Sequence, residues 1–134
     1  VSEVWKEHTD GNYDASFVDN VIDGCGYDIV KLDSLIYSHK HGSSKHRSEL
    51  CTLYIRENIK KFNVNKWKGP KYLMRDDLRL TIDYPEDIIV CRAVYKHFKN
   101  KLKNINLKEV VKFLDSRKDL KKLIEPYTNK KFKK

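Results

Sequence analysis

The sequence predicts a mixed α/β fold whose second half is dominated by helices, and three observations carry that prediction. Tyr27-Asp28-Ile29-Val30-Lys31 nearly alternates in polarity and is rich in β-branched residues, and Leu78-Arg79-Leu80-Thr81-Ile82 alternates cleanly, as half-buried strands do. Pro85, Glu86 and Asp87 open a long helical pattern, with proline where its missing N–H costs nothing and acids where the helix dipole favours them. From Asn106 onward apolar residues recur every three or four positions. The 134 residues fit one domain spanning 1–134. A chain of that size buries about two-thirds of its unfolded surface, enough for a core.

In chain order, Val1, Val4, Trp5 and His8 fall at helical spacing and read as a helix already under way at the first residue. Thr9-Asp10-Gly11-Asn12 is a turn, and 13–18 is a short extended segment. Asp23-Gly24-Cys25-Gly26 supplies a tight turn before the 27–31 strand, and 32–38 reads as a short helix. The stretch 39–47 carries three histidines and no core residue, and predicts an exposed, mobile loop. Residues 49–60 read as a helix with Leu50, Leu53, Tyr54 and Ile59 inward, and 62–67 as a strand ended by Gly69-Pro70. The 78–82 strand is the cleanest in the chain. The helix after it runs to about Lys99 with Ile88, Cys91, Val94, Tyr95 and Phe98 as its buried stripe. Asn106 caps the next helix, and a last one carries Leu120, Leu123 and Ile124 up to Pro126. Residues 126–134 form a basic tail, expected to be mobile.

Composition removes several function classes. The formal charge is +9, from 28 Lys and Arg against 19 Asp and Glu. Much of the excess is Lys130, Lys131, Lys133 and Lys134, and the rest is interspersed with acids, so dedicated nucleic-acid binding is not expected. No apolar run approaches the roughly 20 residues of a spanning helix, so no membrane partner is expected. Cys25, Cys51 and Cys91 are far apart with neither zinc nor disulfide spacing, which predicts reduced thiols and a cytoplasmic protein. Cys51 and Cys91 read as core residues.

Asp83 lies at the carboxyl end of the 78–82 segment, where open α/β sheets place ligands. It either coordinates Mg²⁺, a hard cation that needs only one or two carboxylates, or caps the turn before the helix. His39, His41 and His46 lack the partners of a metal site, whereas His41 or Lys45 could meet a substrate carboxylate or phosphate. Asp76-Asp77 reads as a solvated loop.

Arg79-Leu80-Thr81-Ile82-Asp83-Tyr84-Pro85-Glu86-Asp87-Ile88, with Arg92-Ala93-Val94-Tyr95 after it, resembles the "RLTVDxPEDL…RAIY" block of the cytidylyltransferase family. That family holds the spore coat polysaccharide biosynthesis protein F group and the acylneuraminate and Kdo cytidylyltransferases. Glu49, Thr52, Tyr54 and Ile55 resemble its "REHVTPYI" segment, Asp23-Gly24 its "DGLDVEV" hairpin, and 106–115 its "LEDILEFLD" helix.

The resemblance implies the C-terminal portion of a three-layer α/β fold of the nucleotide-diphospho-sugar transferase type, with a mixed sheet and C-terminal helices. It implies a transferase that moves CMP from CTP to a sugar or sugar acid, releases pyrophosphate and uses Mg²⁺, in surface polysaccharide biosynthesis. Asp83 takes the metal role, and Asp28, Glu49, Lys45 and His41 the substrate side. The chain departs from the family at Gly26, Asp28, Ser48, Leu50 and Leu53, positions that bear on which acceptor is used. The family's glycine- and arginine-rich nucleotide loop and its "DCP" motif do not occur in these residues, so 1–134 is expected to be the C-terminal half of the enzyme and inactive alone. The alternative is a non-catalytic paralogue serving as a dimerisation or scaffolding module. A homodimer is compatible with either reading.

Overall fold

The computed structural model describes residues 1–128, the side chains at 102 and 103 excepted. It is mixed α/β, with a small three-stranded sheet among helices. The described residues gather into two compact units, one of Val1–Asp19 and Tyr27–Lys68, the other of Asn20–Gly26 and the chain from Gly69 onward.

In the first unit, helix α1 (Ser2–Asp10) leads to strand β1 (Ala15–Val18), which lies between β2 (Tyr27–Val30) and β3 (Val64–Lys66). β1 runs antiparallel to β2, with Ala15 opposite Val30, and parallel to β3, with Ala15 opposite Val64. The four residues of β1 are all buried, as befits a central strand covered on both faces. Its one polar member, Ser16, is satisfied by His8 Nδ1 at 2.9 Å. Helices α2 (Leu32–His41) and α3 (Leu53–Glu57) supply the crossover that parallel β1 and β3 require. Ala15, Phe17 and Ile55 form the core, with Val30, Phe62 and Val64 packed around them.

In the second unit, α4 (Pro85–Phe98), α5 (Leu107–Ser116) and α6 (Lys118–Ile124) enclose Ile22, Leu78, Val90, Phe98, Val110, Val111, Leu114, Leu120 and Ile124. Asn106 caps α5 as predicted, its side-chain oxygen accepting from the Lys108 N–H at 2.9 Å. Arg75 and Lys121 tie Asp77 and Asp115 together at 2.6 to 2.7 Å along this unit's edge, so Asp77 lies in a part-exposed loop, as expected, and is ion-paired there.

Several expectations are corrected. Residues 78–82 form no strand: Arg79 makes one isolated parallel bridge with Asp23, and the neighbouring segment turns away at Gly24, whose φ is +89°. Leu78 is buried, but Ile82 is 61% exposed, because no further strand extends the ladder. In α4 the inward face is Asp87, Val90 and Phe98, while Ile88 and Tyr95 are exposed. Apolar residues occur all round this helix, so periodicity alone does not fix its rotation; the ion pair of Asp87 does. The 49–60 helix shortens to α3 followed by a 3₁₀ turn over Ile59–Lys61, and its buried residues are Tyr54 and Ile55. The expected 39–47 loop is largely ordered, since α2 continues to His41 and Ser44–His46 is a 3₁₀ turn. Cys51 is exposed rather than packed in a core. Within the basic tail, Pro126 and Tyr127 belong to a 3₁₀ turn and Thr128 is buried, while 129–134 lie outside the described residues. Among the described residues no helix is long and apolar enough to cross a membrane.

Candidate functional site

The resemblance-bearing residues of the second unit converge on one guanidinium. Arg79 is buried to 7% exposure, and its side chain gathers three carboxylates. Nε and Nη2 donate side-on to Asp87 at 3.2 Å each, Nη1 donates to Asp23 at 2.6 Å, and Nη2 also donates to Asp83 at 2.8 Å. The Tyr127 carbonyl accepts from Nη1 at 3.4 Å, and the guanidinium lies 5.3 Å from the Tyr84 ring centroid. Tyr84 in turn stacks on Tyr127 at 4.1 Å. Asp87 also accepts from the backbone N–H groups of Asp83 and Tyr84 at 3.0 and 3.1 Å, which fixes the turn that begins α4.

Electrostatics divide the three acids. Asp87 is 1% exposed; burial pushes its carboxyl up, but Arg79 and the two backbone N–H groups outweigh it and hold it below the ordinary carboxylate range. The hydrogen bonds from Asp87, with Asp23 and Asp83 beside it, hold the Arg79 guanidinium firmly charged. Asp23 and Asp83 are 43% and 56% exposed at the side chain, and each meets Arg79 through one oxygen. Three carboxylates around one cation leave the turn with surplus negative charge on its solvent side.

That surplus could offer a hard cation such as Mg²⁺ the single carboxylate of Asp83, one or two being all such an ion takes from a protein. It does not fit a cation caged wholly by protein, since no group of three or more His, Cys, Asp or Glu among the described residues could hold a metal ion.

The first unit holds the other predicted site residues and brings only some of them together. Asp28, on β2, accepts from Thr52 Oγ1 at 2.7 Å and from Arg56 Nη2 at 2.8 Å. Arg56 also binds Asp19 through both terminal nitrogens, at 2.9 and 3.1 Å, and stacks 3.9 Å above the Phe17 ring. Burial opposes its charge, but Asp19 and Asp28 hold the guanidinium above its ordinary value. Asp28 therefore sits in a closed network facing the sheet.

Lys45 pairs with Glu57 at 2.8 Å, and His46 Nε2 reaches the same carboxylate at 3.0 Å. His46 Nδ1 accepts from the Ser43 N–H at 2.9 Å, which places the proton of the neutral ring on Nε2. Lys45 first, then His46, holds the Glu57 carboxyl below its ordinary range. His41 stacks on Tyr37 at 3.9 Å with Nδ1 2.9 Å from the Tyr37 carbonyl. Glu49 is exposed between the 3₁₀ turn and α3. Beside these residues lies a cleft of about 420 Å³, lined by His39, His46, Arg47, Ser48, Cys51 and Leu35 among others.

Sequence reasoning missed both organising arginines. For Arg79 the signal was present, in acids four and eight residues downstream beside a proline-initiated helix. For Arg56 only Thr52, one turn earlier, hinted at a role, because Asp19 and Asp28 are distant in sequence. The Arg47 cleft had no legible signal, since α2, the 3₁₀ turn and the start of α3 must fold to form it.

No family model matches the chain, and no solved structure matches it. The chain is similar to a protein of Methanocaldococcus jannaschii described as uncharacterized, at 32% identity over 112 residues. The match covers 84% of this chain but only 45% of the relative, so the chain spans less than half the length of the curated protein it resembles.

Proposed function

We propose that this chain is part of a nucleotidyltransferase of the cytidylyltransferase type, which moves CMP from CTP to a sugar or sugar acid and releases pyrophosphate. The observation that carries the reading is the convergence on Arg79. Asp23 belongs to one segment that resembles the family and Asp83 and Asp87 to another, and a single buried guanidinium binds all three. The finer fold of the nucleotide-diphospho-sugar transferase type, the status of 1–134 as the C-terminal half of that domain, and a cytoplasmic location belong to the same proposal.

In this reading Asp83 would hold Mg²⁺, which would supply neutralisation of phosphate charge. Arg79 and Asp87 hold Asp83 in place, so orientation is set before the nucleotide arrives. Asp28 acts as a positioning residue through Thr52 and Arg56, while Glu49, Lys45 and His41 stand on the substrate side.

The test is pyrophosphate release by the complete gene product, with Mg²⁺, each of the four nucleoside triphosphates and a panel of sugars and sugar acids. CTP-specific release, reduced at least about 100-fold in Asp83→Asn with the fold retained, supports the reading. Absence of CTP-dependent release across the panel overturns it.

The alternative non-catalytic module rests on a separate observation, the exposed Ile88, Ile89 and Tyr95 on α4. It predicts self-association in sedimentation with no nucleotide turnover.

A further inference from the structure

The charge surplus is not shared evenly between the two units. Residues 1–19 and 27–68 carry 10 Lys and Arg against 9 acids, whereas 20–26 and 69–134 carry 18 against 10. Most acids of the second unit are already paired: Asp23, Asp83 and Asp87 with Arg79, Asp77 and Asp115 with Arg75 and Lys121, and Asp119 with Arg117. From Ile88 to Lys108 the chain has no acid at all. Arg92, Lys96, Lys99 and Lys101 are exposed there, and none of their side chains makes a hydrogen bond or ion pair among the described residues.

Three of those cations share a face with the apolar side chains that α4 leaves in water. Ile88 is 39% exposed, Ile89 52% and Tyr95 58%. At 3.6 residues per turn, Ile88, Ile89, Arg92, Tyr95, Lys96 and Lys99 fall within an arc of about 120°, opposite the buried Asp87, Val90 and Phe98. The helix dipole accounts for cations in the last turn of α4, but not for isoleucines held out beside Arg92. A second copy on this face would set unpaired cations against cations. A polynucleotide would meet the cations and leave Ile88 and Ile89 unused. An anionic lipid surface takes both, since apolar side chains enter the headgroup boundary while Lys and Arg meet lipid phosphates.

We infer that the outward face of α4 docks on an anionic bilayer surface, with Ile88, Ile89 and Tyr95 entering the interface and Arg92, Lys96 and Lys99 meeting the headgroups. The expectation of no membrane partner rests on spanning length, and lying on a surface requires none. The inference is independent of CMP transfer.

The test is cosedimentation of the full chain with vesicles of phosphatidylcholine, alone or with about 30% phosphatidylglycerol, beside anisotropy of labelled poly(U). At about 0.1 M salt the anionic vesicles should bind at least about tenfold tighter than the neutral ones, and lose most of that advantage at about 0.5 M. Arg92→Gln with Lys96→Gln should weaken anionic binding about 20-fold, near fivefold per charge. Ile88→Ser with Ile89→Ser should weaken it at least about tenfold, a loss that a polynucleotide site would not show. All four positions are exposed, and melting temperatures confirm the fold. Equal binding to neutral and anionic vesicles, or anionic binding indifferent to either double variant, overturns the proposal. So does no vesicle binding, with poly(U) bound or the chain self-associated in its place.

Discussion

Asp87→Ala removes the group that sets both the rotation of α4 and the direction of the turn before it. The carboxylate is 1% exposed and accepts four hydrogen bonds, two from Arg79 at 3.2 Å and one each from the backbone of Asp83 and Tyr84. Loss of the backbone bonds at the helix start costs about 1 kcal/mol. Breaking a buried ion pair costs roughly 3–5 kcal/mol when it leaves a stranded charge. Here Arg79 keeps Asp23 and Asp83, which are half exposed, so the pair contributes nearer 2 kcal/mol than 5. The total is about 3 kcal/mol, or roughly 10 °C in melting temperature. Urea unfolding followed by circular dichroism measures it, and hydrogen exchange in α4 localises it. Because the folded-state carboxyl is depressed, its stabilisation is present above the ordinary carboxylate value of about 4 and fades as pH falls below that. The gap between wild type and variant should therefore narrow in acid. A loss under about 1 kcal/mol, or a gap unchanged at low pH, refutes the assignment of Asp87 as the anchor.

Two further outcomes follow from named residues. His8 is buried on Ser16, and burial, followed by the charge of Lys31, holds its imidazole below the ordinary value against the opposing pull of Asp14. The unfolded chain then binds a proton that the folded one resists, so stability is lost as pH falls below about 6.5. Thermal melts between pH 7 and 5 should show that slope in the wild type and a flatter one in His8→Gln. At Gly24, φ is +89°, and an added Cβ would lie 2.5 Å from the Leu80 carbonyl and 2.7 Å from the Thr81 nitrogen. Both neighbours are backbone atoms that cannot swing aside, so Gly24→Ala should cost at least about 2 kcal/mol in denaturant unfolding. A melt within error of the wild type would contradict the close approach of these two segments.

Local signals were legible in the sequence and long-range ones were not. Pro85, Glu86 and Asp87 announced α4 because their roles depend only on adjacent backbone, and Asn106 announced α5 for the same reason. The four residues of β2 were legible from near-alternation, β-branched content and the glycine turn before them. Alternation misled at Leu78–Ile82, since a strand needs a neighbour to complete its ladder and Asp23 supplies a single bridge. Ile55 was missed because α3 is barely more than one turn long, too short for its apolar residues to define a face. Asp83 stood out by its place before a helix, but Arg79, which fixes it, read as the polar half of a strand pattern. A buried cation is recognisable only when its carboxylates are assembled, and Asp23 lies 56 residues away.

The order in which the chain visits its two units constrains how it can fold and how it can be dissected. After β1 the polypeptide leaves the first unit to contribute Asn20–Gly26 to the second, returns at Tyr27, and leaves again at Gly69. Ile22, wholly buried in the helical core, and Asp23, bound to Arg79, thus wait for partners synthesised more than 50 residues later. No single cut yields both units intact. A fragment beginning at Gly69 would lack Ile22 and the Asp23 carboxylate, while one ending at Lys68 would carry Ile22 with none of the core that shelters it. Fragments that restore the second unit must therefore include a graft of the short 20–26 segment, and a circular permutant that joins it to Gly69 is the natural design.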